Sequence, residues 1–178
     1  MFTTNNDHGR ETLIRLLNAR LADAIDLLYQ AKQAHWNVTG REFYALHQLF
    51  EQVSEELREH VDDIAERAAQ LGGEAEGTVK MAAEHSSLPE YPRHVSGGAA
   101  HLEALSGALD AAATSMRDAI DQASSLGDEV TVDIFVGATR AIDKLHWMVR
   151  AHSKGQPAPD TGHAAREPKS ERTTRPRH

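Results

Sequence analysis

The sequence predicts an all-α domain: a four-helix bundle with a long crossover between its second and third helices. Apolar residues recur at steps of three and four through four long stretches. Aromatic residues and Pro are few, Ala and Leu are many, and clean alternating strand patterns are hard to find. Two of the three connections are short, and only the one between the second and third stretches is long.

The first helix is expected from about Arg10 to Trp36, with Leu13, Leu17, Leu21, Ala24, Leu28 and Ala31 on one face. Asn37-Val38-Thr39-Gly40 makes the turn. The second helix runs from about Glu42 to Leu71 on a stripe of Leu46, Phe50, Val53, Leu57, Val61, Ile64, Ala68 and Leu71. Gly72-Gly73 supplies the left-handed positions that close it. Residues 74–95 are the crossover, with Pro89 and Pro92 and one short helix over Thr78–His85. The third helix starts near Ser96, a suitable N-cap, and carries Leu102, Leu105, Leu109, Ala112, Met116, Ile120 and Ala123 until Gly127 breaks it. Asp128 caps the fourth, whose stripe reads Ile134, Ala138, Ala141, Leu145 and Met148. The organisation is thus a short N-terminal extension (1–9), a helical bundle (10–152) and a tail (153–178) whose Pro, Gly and charged residues lack periodicity and read as disordered.

With 178 residues the chain can bury one sizeable core. It has no cysteine, which excludes disulfides, thiolate nucleophiles and thiolate metal sites. The polar start, Met1 to Asp7, has no signal-peptide pattern, and no apolar run approaches a membrane span, so a cytoplasmic location without membrane partners is expected. The net charge of −8 is uneven. Lys154, Arg166, Lys169, Arg172, Arg175 and Arg177 against Asp160, Glu167 and Glu171 make the tail +3 and leave the rest at −11.

The chemistry concentrates between His35 and Gly73. His47 and Glu51, at i and i+4, share a face of the second helix, and Asp62 and Glu66 repeat that spacing. At about 100° per residue the two pairs lie on nearly the same face, yet eleven residues separate Glu51 from Asp62, roughly 16 Å along the axis. One ion with bonds near about 2 Å cannot span that gap. Either the pairs are unrelated, or a second copy approaches about a two-fold axis and sets His47 and Glu51 of one against Asp62 and Glu66 of the other. His35, ending the first helix, adds a second imidazole. Carboxylates on a long helix are otherwise an ordinary solvated face. Nitrogen and oxygen donors together suit iron, zinc or manganese without choosing among them.

These residues carry a resemblance. His35-Trp36-Asn37-Val38-Thr39-Gly40, Phe43, Leu46-His47, Asp62 through Ala65-Glu66-Arg67, Leu71-Gly72-Gly73, Tyr91-Pro92 and Ile142-Asp143-Lys144-Leu145 with Trp147 resemble the Dps family, the DNA-binding proteins from starved cells or mini-ferritins. The likeness covers roughly residues 10–152. It implies a ferritin-like bundle assembled as a hollow dodecamer, with ferroxidase sites across its two-fold contacts. In such sites His35, His47 and Glu51 come from one subunit and Asp62 and Glu66 from its partner. It implies Fe(II) and hydrogen peroxide as substrates, ferric mineral stored inside, and protection against oxidative stress; zinc is a possible substitute metal. The family commonly has Asp where this chain has Glu51, one methylene longer.

The same resemblance assigns Asp128 and Asp133 to carboxylates that ring an iron-conducting pore; a third such position is Gly137 here. Asp128 is equally readable as a plain N-cap. Trp36, beside a ligand, is either a trap for stray radicals or a packing anchor. His146, in Asp143-x-x-His146, reads as a packing residue. Lys154, Arg166, Lys169, Arg172, Arg175 and Arg177 could hold DNA without sequence preference through twelve tails at once, or merely solubilise the chain. The alternative function is a structural nucleoid protein that compacts DNA through those tails.

Overall fold

The computed structural model describes residues 4–153 as five helices: α1 (Thr4–Asn37), α2 (Phe43–Gln70), α3 (Val79–His85), α4 (Gly98–Ser125) and α5 (Glu129–Ser153). The described residues include no strand. The tail cations Lys154, Arg166, Lys169, Arg172, Arg175 and Arg177 lie outside the described residues. Short turns make hairpins of α1–α2 and α4–α5. The bundle forms where α1 packs on α4 and α2 on α5, while α3 lies against α1. No described helix is long and apolar enough to cross a membrane.

Glycine closes the C-terminal ends of α2 and α4. After α2, Gly72 takes φ +83°, its N–H donates to the Ala69 carbonyl at 2.9 Å, and Gly73 N–H reaches back to the Ala68 carbonyl at 3.0 Å. That pair of bonds satisfies carbonyls the helix end would otherwise strand. After α4, Gly127 (φ +73°) donates to Ser124 and Asp128 N–H to Ala123, so the same motif returns the chain directly into α5. Asp128 therefore closes one helix and opens the next.

The core runs the length of the bundle, with Leu17, Leu21, Leu27, Phe50, Leu57, Ile64, Leu105, Leu109, Met116 and Phe135 at or near zero exposure. The expected stripes of the first three long helices lie on the buried faces, with Leu28, Val61, Leu71 and Ile120 only partly covered. On α5 the stripe is wider than predicted. Phe135, Ile142 and Val149 are fully or almost fully buried beside Ala138 and Leu145, whereas Ile134 and Met148 are only partly covered. At about 100° per residue, neighbours in sequence lie on adjacent rows, and the row of Phe135, Ile142 and Val149 faces the centre together with Ala138 and Leu145. Helix α1 begins at Thr4, before the expected Arg10. The Arg10 guanidinium donates to the Leu71 carbonyl at 3.0 Å, tying this first part of α1 to the end of α2. Helix α4 is capped by Gly97 rather than Ser96; with φ 81° and ψ 153°, Gly97 occupies a backbone region essentially reserved for glycine.

The crossover is held by polar groups of α1. The Asp23 carboxylate, fully buried, accepts from Ser87 N–H at 2.7 Å and from the Ser87 and Ser115 hydroxyls, and pairs with Arg20 at 3.0 Å. Asp26 accepts from the Ser86 hydroxyl at 2.6 Å, and Gln30 donates to the Pro89 carbonyl at 3.0 Å. Asn18 donates to the Glu74 carbonyl and accepts from Glu76 N–H. An irregular segment leaves its backbone groups without a ladder, and α1 supplies the partners.

Candidate metal centre

The turn between α1 and α2 is closed by its two histidines. His35 Nδ1 lies 2.9 Å from the His47 carbonyl, and His47 Nδ1 lies 2.9 Å from the His35 carbonyl. A carbonyl only accepts, so each Nδ1 carries the proton and donates. Each Nε2 is then left with its lone pair, the tautomer that ligates a metal. The rings stack with centroids 3.7 Å apart, and Phe43 lies over His47 with centroids at 5.1 Å.

Glu51 joins this pair from the next turn of α2, its Oε2 3.3 Å from His35 Nδ1. The same oxygen receives Lys32 Nζ at 2.6 Å. That hydrogen bond is the largest influence on the carboxyl. Desolvation opposes it, while electrostatic attraction from nearby His35, Lys32 and His47 reinforces it, and the net result holds Glu51 below its ordinary pKa. Lys32 Nζ also sits 5.8 Å from the Trp36 ring centroid, within cation–π range. Lys32 was not among the residues the sequence suggested. Its signal was there: it precedes His35 by three positions and so shares that face of α1.

The three donors lie side by side without converging. Among the described residues no three His, Asp or Glu side chains are placed to hold an ion within one chain. Asp62 and Glu66 are exposed farther along α2, and neither makes an ion pair or side-chain hydrogen bond among the described residues. The surface around the histidines is unusually apolar for a single chain: Trp36 is 61% exposed, Phe43 45% and Tyr44 72%. Exposed aromatics grouped beside polar ligands mark a surface suited to a partner.

The two pore candidates differ in kind. Asp128 accepts from Thr131 N–H at 2.9 Å as an N-cap, and its two oxygens accept from a single Arg67 nitrogen, Nη2, at 3.0 and 2.8 Å. Burial is the largest influence on its carboxyl and pushes the pKa up. The Thr131 N–H and the Arg67 hydrogen bond and charge overcome it and leave the pKa lowered. Arg67 Nε donates to the Thr131 hydroxyl as well, so the end of α2 is locked to the start of α5. Asp133 is exposed and unpaired among the described residues, and Gly137 offers no carboxylate. His146 Nε2 meets the Ser106 hydroxyl at 3.0 Å between α4 and α5, which suits a packing role.

This fold and this arrangement of helices are those of the ferritin-like class, and residues 14–155 match the family described as Ferritin-like domain. The chain is 40% identical over 152 residues to the DNA protection during starvation protein of Agrobacterium fabrum, spanning 84% of this chain and 94% of that one. Among solved structures it is similar to DpsC from Streptomyces coelicolor, with a TM-score of 0.80 and 32% identity over 84% of this chain and 88% of that one. DpsA14 from the same organism gives a TM-score of 0.77 and 34% identity, over 81% and 85%. The protein belongs to the Dps family.

Proposed function

We propose that the protein is a ferroxidase and iron-storage mini-ferritin. In this reading twelve copies close into a hollow shell, and His35, His47 and Glu51 of one subunit meet Asp62 and Glu66 of its neighbour across a two-fold contact. Fe(II) is the substrate. The two Nε2 lone pairs and the carboxylates bind it, and hydrogen peroxide, in preference to oxygen, takes up two electrons and two protons and leaves as water. Ferric mineral collects inside, so iron and peroxide are removed together and DNA in the same cytoplasm is spared. The observation that carries this reading is the reciprocal His35–His47 tie. It fixes both imidazoles as metal-binding tautomers beside Glu51 while leaving the donor set incomplete within one chain.

The assay is anaerobic Fe(II) mixed with peroxide, scored by oxidation rate and by a soluble ferric core. His47→Ala and Asp62→Ala should each abolish rapid oxidation. Co-assembling the two variants should restore part of it, because some contacts then unite an intact His47 with an intact Asp62. Absence of any recovery in mixed shells that do assemble would contradict a shared site. The apparent role of the pore is assigned to Asp133, with Asp128 as its structural neighbour.

A second reading, DNA compaction, is favoured by the charge asymmetry, since the tail from Ser153 onward is +3 on an otherwise acidic chain. Deleting residues 154–178 should remove a salt-sensitive gel retardation. Retardation that survives the deletion assigns DNA binding elsewhere.

A further inference from the structure

Behind the α1–α2 turn lies a polar pair that the proposed iron chemistry does not use. His101 of α4 is 1% exposed, and its Nδ1 meets the hydroxyl of Tyr91 from the crossover. The two rings are nearly parallel, 25° apart, with centroids at 6.1 Å. The remaining ring nitrogen, Nε2, is buried without a full hydrogen bond, and the Asn37 backbone carbonyl stands by and favours the protonated ring. Phe50 lies against His101 with centroids at 6.4 Å. Asn37 follows Trp36 and is two residues from His35, while Phe50 directly precedes Glu51. The pair thus contacts the two segments that carry the metal-binding side chains.

We propose that Tyr91 and His101 form a proton-coupled hole trap that quenches one-electron oxidants escaping from the iron site. A phenol is hard to oxidise by electron loss alone, because the cation it leaves is strongly acidic; an adjacent base removes that obstacle. Here the phenol gives an electron to a hydroxyl radical, which becomes hydroxide, and its proton moves along the existing hydrogen bond to His101 Nδ1. The products are a neutral tyrosyl radical, an imidazolium and hydroxide, so charge and atoms balance. The Asn37 carbonyl stabilises the imidazolium through Nε2–H. Burial supports the assignment at both ends. It keeps His101 neutral, ready to accept, and pushes Tyr91 upward so that no phenolate forms beforehand. Tyr91 also borders a surface groove shared with the half-exposed Tyr29, through which a small reductant can restore the phenol. An ordinary anchoring hydrogen bond would need neither a partner-poor Nε2 nor a ring wedged between the two ligand-bearing segments.

The inference rests on the ferroxidase reading, and the test separates the two. The assembled full-length protein, loaded with Fe(II), is mixed with peroxide, frozen rapidly and examined by electron paramagnetic resonance while Fe(II) oxidation is followed in parallel. A tyrosyl signal is expected in the parent protein. It should be lost in Tyr91→Phe with the oxidation rate unchanged, and oxidised Trp36 should then accumulate faster by mass spectrometry. In His101→Gln, which keeps an acceptor but cannot take the proton, the signal should fall. Should that variant fail to assemble, electron–nuclear double resonance on the parent radical must show one exchangeable proton hydrogen-bonded to the phenoxyl oxygen. A tyrosyl signal of equal size in Tyr91→Phe, or an organic radical confined to tryptophan in the parent, overturns the proposal. If the parent oxidises no Fe(II), the ferroxidase reading fails alone. Azidyl radicals made by pulse radiolysis then test the pair directly, with Tyr91→Phe again required to lower the tyrosyl yield.

Discussion

Asp128 is the residue whose two readings the structure separates most sharply. Its side chain caps α5 through Thr131 N–H and binds Arg67 through both oxygens, with the two side chains only 16% and 14% exposed. The cap is worth about 1 kcal/mol, and the charge-assisted Arg67 contact adds about 2 kcal/mol at this degree of burial. Asp128→Ala should therefore cost about 3 kcal/mol, the sum of those two contributions. For a chain of this size that is a fall of roughly 6–12 °C in melting temperature at fixed protein concentration. Asp128→Asn keeps a cap acceptor and loses the charge, so it should cost about 2 kcal/mol. The pH dependence follows from the lowered carboxyl. A group depressed on folding stabilises above its unfolded value, 3.8 for Asp, and that contribution disappears as pH falls through the folded value below it. The gap between parent and Asp128→Asn should thus be full at neutral pH and close only under strong acid. Circular dichroism melts across that range measure it. Because Arg67 already compensates the charge, Asp128→Asn should leave Fe(II) uptake nearly unchanged, whereas Asp133→Asn should slow it. A melting temperature within a degree of the parent for Asp128→Ala, or uptake that falls in Asp128→Asn without a loss of stability, would refute the reasoning.

Lys32→Met should tighten Co(II) binding, by about 1 kcal/mol or some fivefold for removal of one partly exposed competing cation, read by calorimetric titration; weaker binding would mean that Lys32 chiefly positions Glu51. Asp23→Ala should cost about 3–5 kcal/mol, because it strips a fully buried carboxylate from Arg20 and unfastens Ser87. Amide exchange should then rise across residues 86–91 before it rises in α2, and uniform exchange would argue against a local clamp.

The sequence made the four long helices and both glycine-closed ends legible, because periodicity and left-handed stops are local signals. The short helix expected over Thr78–His85 is α3, with Thr78 as its cap: the Thr78 hydroxyl accepts from Met81 N–H at 3.3 Å. What local pattern could not supply was pairing over long separations. Arg67 belonged to a recognisable motif, but its Nη2 contact with Asp128 spans 61 residues. Asp23 and Gln30 carry no local signal of burial on α1, and the crossover folding back over them gives them partners. The expected α5 stripe is too narrow: Ala138, Ala141 and Leu145 are buried as expected, but Ile134 and Met148 are as apolar as Phe135 and Val149, and hydropathy alone does not rank adjacent rows. Five metal-site residues were named from spacing and resemblance. The structure brings His35, His47 and Glu51 together and leaves Asp62 and Glu66 apart, as one helix must.

Dividing a donor set between copies has an energetic consequence in the proposed assembly. In a lone chain Lys32 already lies on Glu51, so the half-site holds a cation of its own and offers a metal two imidazoles and a neutralised carboxylate. Docking a second copy adds Asp62 and Glu66, and one lysine then faces three carboxylates. The local charge turns from balanced to negative, and a divalent ion displaces the ammonium more readily than before. Metal affinity and subunit affinity are then linked, since whatever binds the assembled form better must stabilise it by the same factor. The exposed Trp36, Phe43 and Tyr44 supply apolar surface for that contact without metal. In the proposed assembly, docking would come first and metal binding would reinforce it, which would keep unassembled chains from running iron chemistry outside a closed shell.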